Sequence, residues 1–206
     1  MSQSEPLVLI VSGPSGSGKS TLVQKILELP GTMLAVSSTT RAPRGTESAG
    51  KWYNFVSEAK FQEMVGRGEF LEHAQVFGKN WYGTPRSALD DALAQKKDLV
   101  LEIDVQGALQ VKAKLPGAVA IFVIPPSRAD LERRLRDRGH DSDDEIRRRL
   151  DRARDEMLHY NSYDFAVVND DLERAGREVR AIAQGSRCRV AHVEDRIREI
   201  LKSFGG

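Results

Sequence analysis

Residues Gly13-Pro14-Ser15-Gly16-Ser17-Gly18-Lys19-Ser20 match the pattern G-x-x-x-x-G-K-[ST] and are followed by Thr21. Each residue type suits the cradling of phosphate. Glycines let backbone N–H groups converge on phosphate oxygens in conformations that a side chain would obstruct. A helix opening at Lys19 adds unsatisfied backbone donors and the positive end of its dipole. The Lys19 ammonium can reach β- and γ-phosphates, and the Ser20 hydroxyl suits Mg²⁺. At average composition a chance match in a chain of about 200 residues is on the order of 1%. The stretch is therefore read as a P-loop for a nucleoside triphosphate and not as a glycine-rich turn with an exposed lysine. A switch GTPase would also need a guanine-reading motif of the N-K-x-D type, which this sequence lacks.

Other residues could do related chemistry. Arg41 and Arg44 stand three apart beside Thr39-Thr40 and Pro43, an arrangement that suits a forked grip on phosphate as well as a solvated loop. Glu102 and Asp104 end an apolar run two residues apart, so both side chains emerge on one face. Carboxylates make poor core residues unless paired, which favours a functional role. Residues 128–154 hold ten arginines among eight acids. Arg134 and Arg138 lie one helical turn apart there, and Arg149 follows on the next helix. A salt-bridged, solvated face is one reading of this run. Neutralising charge on a transferring phosphoryl group is the other. The four histidines are scattered without zinc-like spacing, so His73 and His159 read as packing or surface residues, and the single Cys188 reads as an ordinary thiol.

The elements that must hold these groups follow from apolar patterning. Residues 7–12, 34–38, 99–103, 118–124 and 165–168 are short β-branched or leucine-rich runs expected as buried strands. Helix-spaced apolar residues follow the P-loop up to Pro30-Gly31. Thr84-Pro85 reads as an N-cap followed by proline at the first helical position, opening a helix to about Lys97. Another helix runs to Leu115. Ser127…Asp130 and Ser142…Glu145 both fit a capping box. A helix from about Leu172 and a short C-terminal one complete the chain. Strands alternating with helices imply an α/β fold with a mainly parallel sheet flanked by helices. Residues 39–84 break the pattern with a polar, aromatic texture: weak strand signals around 52–56 and 70–77 flank a short helix at 58–66.

Composition bounds the function. The 206 residues fit one domain, or a core with an inserted lobe. Lys+Arg 31 against Asp+Glu 30 leaves a formal charge of +1, which argues against a general duplex-DNA binder. No apolar run approaches the roughly 20 residues needed to span a bilayer, and the start of the sequence lacks a basic n-region. A soluble, cytoplasmic protein is expected, with no nucleic-acid or membrane partner.

The motifs together resemble the guanylate kinase family: GPSGSGKST at 13–21, SSTTRAPRGTE at 37–47, DVQGA at 104–108 and HYNSYDFAVVNDD at 159–171. The second is the specific one, because P-loops occur in many families. The resemblance implies a P-loop NTPase core from 1–38, 85–127 and 155–206, a GMP-binding lobe at 39–84 and a lid at 128–154. It implies transfer of the γ-phosphoryl group of ATP to GMP with Mg²⁺. Arg41, Arg44, Tyr53 and Tyr82 would hold the GMP phosphate. Glu72, Ser37 and Thr84 would read guanine, with Thr84 where the family often has serine. Asp104 would orient Mg²⁺ together with Ser20, and a share in binding the guanine substrate is open to either Glu102 or Asp104. Lys19, Arg134, Arg138 and Arg149 would be catalytic, and Asn169 would line the adenine pocket. Two rival readings are a non-catalytic phosphopeptide-binding module of the same fold and a sibling kinase for a ribose phosphate. The first usually loses P-loop or lid residues that this chain keeps, and the second would not need Glu72.

Overall fold

In the computed structural model, residues 6–43, 50, 53–76, 78–137 and 142–204 are described. Five strands form a wholly parallel sheet: β1 (Val8–Ser12), β2 (Thr32–Leu34), β7 (Asp98–Glu102), β8 (Val119–Ile124) and β9 (Phe165–Val168), in the order β2-β7-β1-β8-β9. Runs such as VLIV at 8–11 and VAIFVI at 119–124 are apolar at every position because both faces are covered. Leu9, Val11, Val100, Ile121 and Val123 face one layer, where they meet Leu22, Val23 and Ile26 of α1 (Lys19–Leu27) and Ala175, Val179 and Ala183 of α7 (Leu172–Ser186). The alternate residues Ile10, Leu99, Leu101 and Ala120 face Ala88 and Ala92 of α3 (Ser87–Gln95) and Ala108 and Val111 of α4 (Val105–Lys114).

A second, four-stranded sheet has the order β4-β3-β6-β5, built from β3 (Ser37–Thr39), β4 (Tyr53–Phe55), β5 (Phe70–Val76) and β6 (Asn80–Pro85). Helix α2 (Glu58–Gly66) is capped by Ser57, whose hydroxyl accepts from Lys60 N, and buries Phe61 against Phe70 and Trp81. Helices α5 (Arg128–Arg136) and α6 (Asp143–Met157) close a small core of Leu131, Leu135, Ile146, Leu150 and Ala153. Ser142 makes the full reciprocal capping box with Glu145, whereas the Ser127 hydroxyl donates to the Asp130 carboxylate while accepting from Asp130 N. Helix α8 (Val190–Lys202) ends the described chain. No helix among the described residues is long and apolar enough to cross a membrane.

Two sequence expectations change. The 34–38 run is not one strand: β2 ends at Leu34, and β3 starts at Ser37 in the other sheet. Apolar character runs through the crossing because Ala35 packs in the core and its N–H still bonds Val100 O. Thr84 and Pro85 do not open a helix; they end β6, and α3 starts at Ser87 without a side-chain cap. The local capping signal loses because the Thr84 N–H and hydroxyl are both taken by Glu72 across the strands.

Candidate active site

In open parallel sheets, ligands bind outside the carboxyl ends of the strands. That edge collects the P-loop after β1, Asp104 after β7, the start of α5 after β8 and Asn169 after β9. The loop is shaped by what its glycines exclude. Gly13 has φ 140, and a Cβ there would lie 2.3 Å from the Val123 carbonyl oxygen. Gly18 is the N-cap of α1 at φ 96, and a Cβ there would strike the Asn169 amide at 2.2 Å. Side chains are therefore impossible where the strand and Asn169 press against the loop. The Lys19 ammonium lies along the loop, donating to Gly13 O at 2.7 Å and Pro14 O at 2.9 Å, and the Ser17 N–H donates to Pro14 O.

Long-range contacts complete this wall. Arg134 of α5 donates to Ser17 O at 3.2 Å and Asn169 O at 2.7 Å, and Arg149 of α6 donates to the Ser15 hydroxyl at 3.2 Å. Both arginines reach the P-loop from the helical pair. Arg138, like Arg44, lies outside the described residues. Asn169 is buried, its amide donating to Ser17 O at 2.8 Å, so this side chain supports the loop from behind and does not line the cleft described below. The Ser20 hydroxyl donates to Glu102 Oε1 at 2.5 Å. Glu102 is thus the carboxylate joined directly to the P-loop serine. Asp104 instead caps α4, its Oδ1 accepting from Gly107 N at 2.9 Å, while Oδ2 is buried without a hydrogen bond and 3.7 Å from the Arg152 guanidinium.

The opposite wall is a buried polar group. Glu72 of β5 is only 3% exposed. Its Oε1 accepts from Thr84 N at 2.9 Å and from the Thr84 hydroxyl at 2.7 Å. Because the Thr84 proton points to Glu72, Ser37 must be the donor in the 3.1 Å Ser37–Thr84 hydroxyl pair. Glu72 Oε2 lies over Gly107, 2.5 Å from where a Cβ would stand, so only glycine leaves it room. Desolvation pushes the Glu72 carboxyl up to about 7; the Asp104 charge adds to the rise, and Thr84 and Lys114 oppose it.

One cleft of about 310 Å³ joins the walls, lined on one side by Gly13, Ser15, Gly18, Lys19, Ser20 and Thr21 and on the other by Ser37, Tyr53, Glu72 and Tyr82. Glu102 and Asp104 form its floor. Tyr53 and Tyr82 meet edge-on at 5.7 Å, and the Arg41 guanidinium lies 5.4 Å from the Tyr53 ring centre. Arg152 and Glu156 also line the cleft, joined at 2.9 Å. Sequence reasoning missed both, although Arg149, Arg152 and Glu156 follow one helical face at i, i+3 and i+7. Gly107 was likewise passed over inside the DVQGA run.

A parallel sheet with a P-loop on its central strand, arginines reaching that loop from a helical pair and a second polar wall facing it defines a P-loop phosphotransferase. The comparisons with known proteins narrow the class. The guanylate kinase family model matches residues 5–185. Guanylate kinase of Myxococcus xanthus is 50% identical over 190 residues, covering 91% of this chain and 90% of its own, and that of Salmonella typhimurium is 47% identical over 198 residues, covering 95% of both. The crystal structure of guanylate kinase from Anaplasma phagocytophilum superposes with a TM-score of 0.81 at 35% identity, covering 98% of this chain and 97% of its own. The chain belongs to the guanylate kinase family, and it is a nucleoside monophosphate kinase.

Proposed function

We propose that the enzyme transfers the γ-phosphoryl group of ATP to GMP, yielding ADP and GDP, as a cytoplasmic step of purine nucleotide metabolism. The observation that carries this reading is the single cleft whose two walls are a P-loop and a buried carboxylate–hydroxyl group. Two phosphate-bearing substrates fit across it head to head. The loop amides and Lys19 hold the donor phosphates. Arg134 and Arg149, already on the loop, neutralise charge on the group in transfer, a role the family resemblance extends to Arg138. Arg41, Arg44, Tyr53 and Tyr82 take the acceptor phosphate. Glu72, ordered by Thr84 and Ser37, accepts from the guanine N1–H and amino group, which adenine cannot offer.

The residues also fit the metal the family implies. Ser20 and Glu102 present a hydroxyl and a carboxylate 2.5 Å apart beside the loop, with Asp104 on the same floor, and hard oxygen donors suit Mg²⁺. When bound there, Mg²⁺ supplies charge neutralisation between the phosphates. No general base is required, because in-line transfer relies on positioning and electrostatics. A phosphopeptide-binding module would have no use for Lys19, Arg134 and Arg149 gathered on one loop. A coupled assay of ADP formation with GMP, AMP and a ribose phosphate tests the reading; turnover with the ribose phosphate and none with GMP would overturn it.

A further inference from the structure

β5 is an edge strand of the second sheet, pairing with β6 on one side only. The backbone groups of Leu71 and His73 on its other edge therefore need partners from elsewhere. α4 supplies them with side chains. Gln110 forms a two-point clamp on His73, its Oε1 accepting from His73 N at 3.3 Å and its Nε2 donating to His73 O at 2.8 Å. Lys114 donates to Leu71 O at 2.5 Å. The spacing is the physical reason that the fit works. Residues i and i+4 on a helix are about 6 Å apart along its axis, and outward-facing residues i and i+2 on a strand are about 6.8 Å apart. Gln110 and Lys114 therefore match His73 and Leu71, with helix and strand running in opposite senses.

The residue held between the two clamped positions is Glu72. Its own carboxylate accepts from Thr84 of β6 through Oε1 and lies over Gly107, one turn before Gln110 on α4, through Oε2. Leu71 is sunk in the core against Ala108 and Val111, so this part of β5 is fixed to the core both by packing and by hydrogen bonds.

We propose that Gln110 and Lys114 are positioning residues for base selection: by holding the backbone on either side of Glu72, they aim its carboxylate into the cleft. The proposal rests on the reading of Glu72 as the residue that accepts from guanine. Neither Gln110 nor Lys114 lines the cleft, so neither touches substrate. Releasing the clamp lets the carboxylate drift by fractions of an ångström, which weakens hydrogen bonds to the base before it affects the P-loop.

The test is steady-state kinetics with GMP and with IMP, which keeps the N1–H but lacks the amino group, alongside thermal melting. At about pH 8.5, where Glu72 is ionised with or without the Lys114 charge that helps to hold its pKa down, Gln110→Ala and Lys114→Met should each raise KM for GMP about two- to ten-fold and narrow the GMP-over-IMP preference, with KM for ATP unchanged. Lys114→Arg keeps a donor for Leu71 O and should restore most of the preference. Gln110→Glu cannot donate to His73 O and should be no better than alanine. A lowered melting temperature with KM for GMP and base preference intact would overturn the proposal, leaving the clamp as scaffold only. Should Gln110→Ala fail to fold, Lys114→Met against Lys114→Arg decides by the same KM split. Glu72→Gln separates the two levels. If it leaves base preference intact, the underlying reading fails; if it abolishes the preference while the clamp variants do not change it, only this inference fails.

Discussion

Replacing Glu72 by glutamine should move stability and catalysis in opposite directions. Both Thr84 donors converge on Oε1, so the amide oxygen takes that place and the amino group takes the place of Oε2. The cleft then presents donors to the donors of guanine. Losing a charge-assisted hydrogen bond costs about 1.5–3 kcal/mol, a ten- to hundred-fold fall in kcat/KM for GMP. KM for ATP should hardly change, because the P-loop lies on the far wall. Stability behaves otherwise. Burial lifts the carboxyl from 4.5 to about 7, so the folded state holds its proton more tightly than the unfolded state. This group's destabilisation is absent below the unfolded value, grows as pH rises toward 7 and is complete above it. At about 1.36 kcal/mol per pK unit, the full penalty is about 3 kcal/mol. Glutamine carries none of that charge, so the variant should melt several degrees higher at pH 8, less its own amide's desolvation, with the gain shrinking toward pH 5. Coupled ADP release and thermal melts at both pH values measure the two effects. A variant within two-fold of the parent on GMP, or one that melts lower at pH 8, refutes the reasoning.

Four further outcomes follow from the same geometry. Binding of GMP requires ionised Glu72, so affinity should fall as pH drops through about 7 and a proton should be released on binding near pH 6.5; calorimetry in two buffers of different ionisation heat reads this, and a parent curve identical to that of Glu72→Gln would contradict it. Lys19→Ala should abolish transfer and leave the fold intact, since the ammonium donates to the loop carbonyls of Gly13 and Pro14 and Lys19 is not among the buried core residues; full turnover by a folded variant would sink the kinase mechanism. Gly107→Ala should raise KM for GMP, because its Cβ would stand 2.5 Å from Glu72 Oε2, while the better helix propensity of alanine offsets much of the strain in a melt. The 39–84 and 128–154 segments should close on each other when GMP and an ATP analogue bind, excluding water from the transfer; solution scattering unchanged by both ligands would count against this.

The P-loop was readable from the chain alone because its chemistry is local. Eight consecutive residues carry the phosphate donors, and the glycines that shape them are in the motif itself. Strands β1, β7 and β8 were readable for a related reason: a strand covered on both faces must be apolar throughout, whatever covers it. Glu102 and Asp104 were marked by carboxylates ending such a run, but which of them reaches Ser20 depends on where β7 lies beside β1, and the structure gives that contact to Glu102. The acceptor wall was visible only through resemblance. Ser37 and Thr84 are 47 residues apart, and their hydroxyls meet because β3 and β6 pair antiparallel. Thr84-Pro85 shows the conflict directly: the local pattern asks for a helix start, yet the buried Glu72 carboxylate takes the Thr84 donors, and satisfying that charge outweighs a cap. Gln110 and Lys114 carry no signal of their own in the sequence, Arg152 only its helical spacing from Arg149, and Gly107 only its place inside DVQGA. Their roles are set by which strand edge, loop or carboxylate the packed sheets bring against each helical face, and such pairings across the fold are decided by burial and register, which no local run of residues encodes.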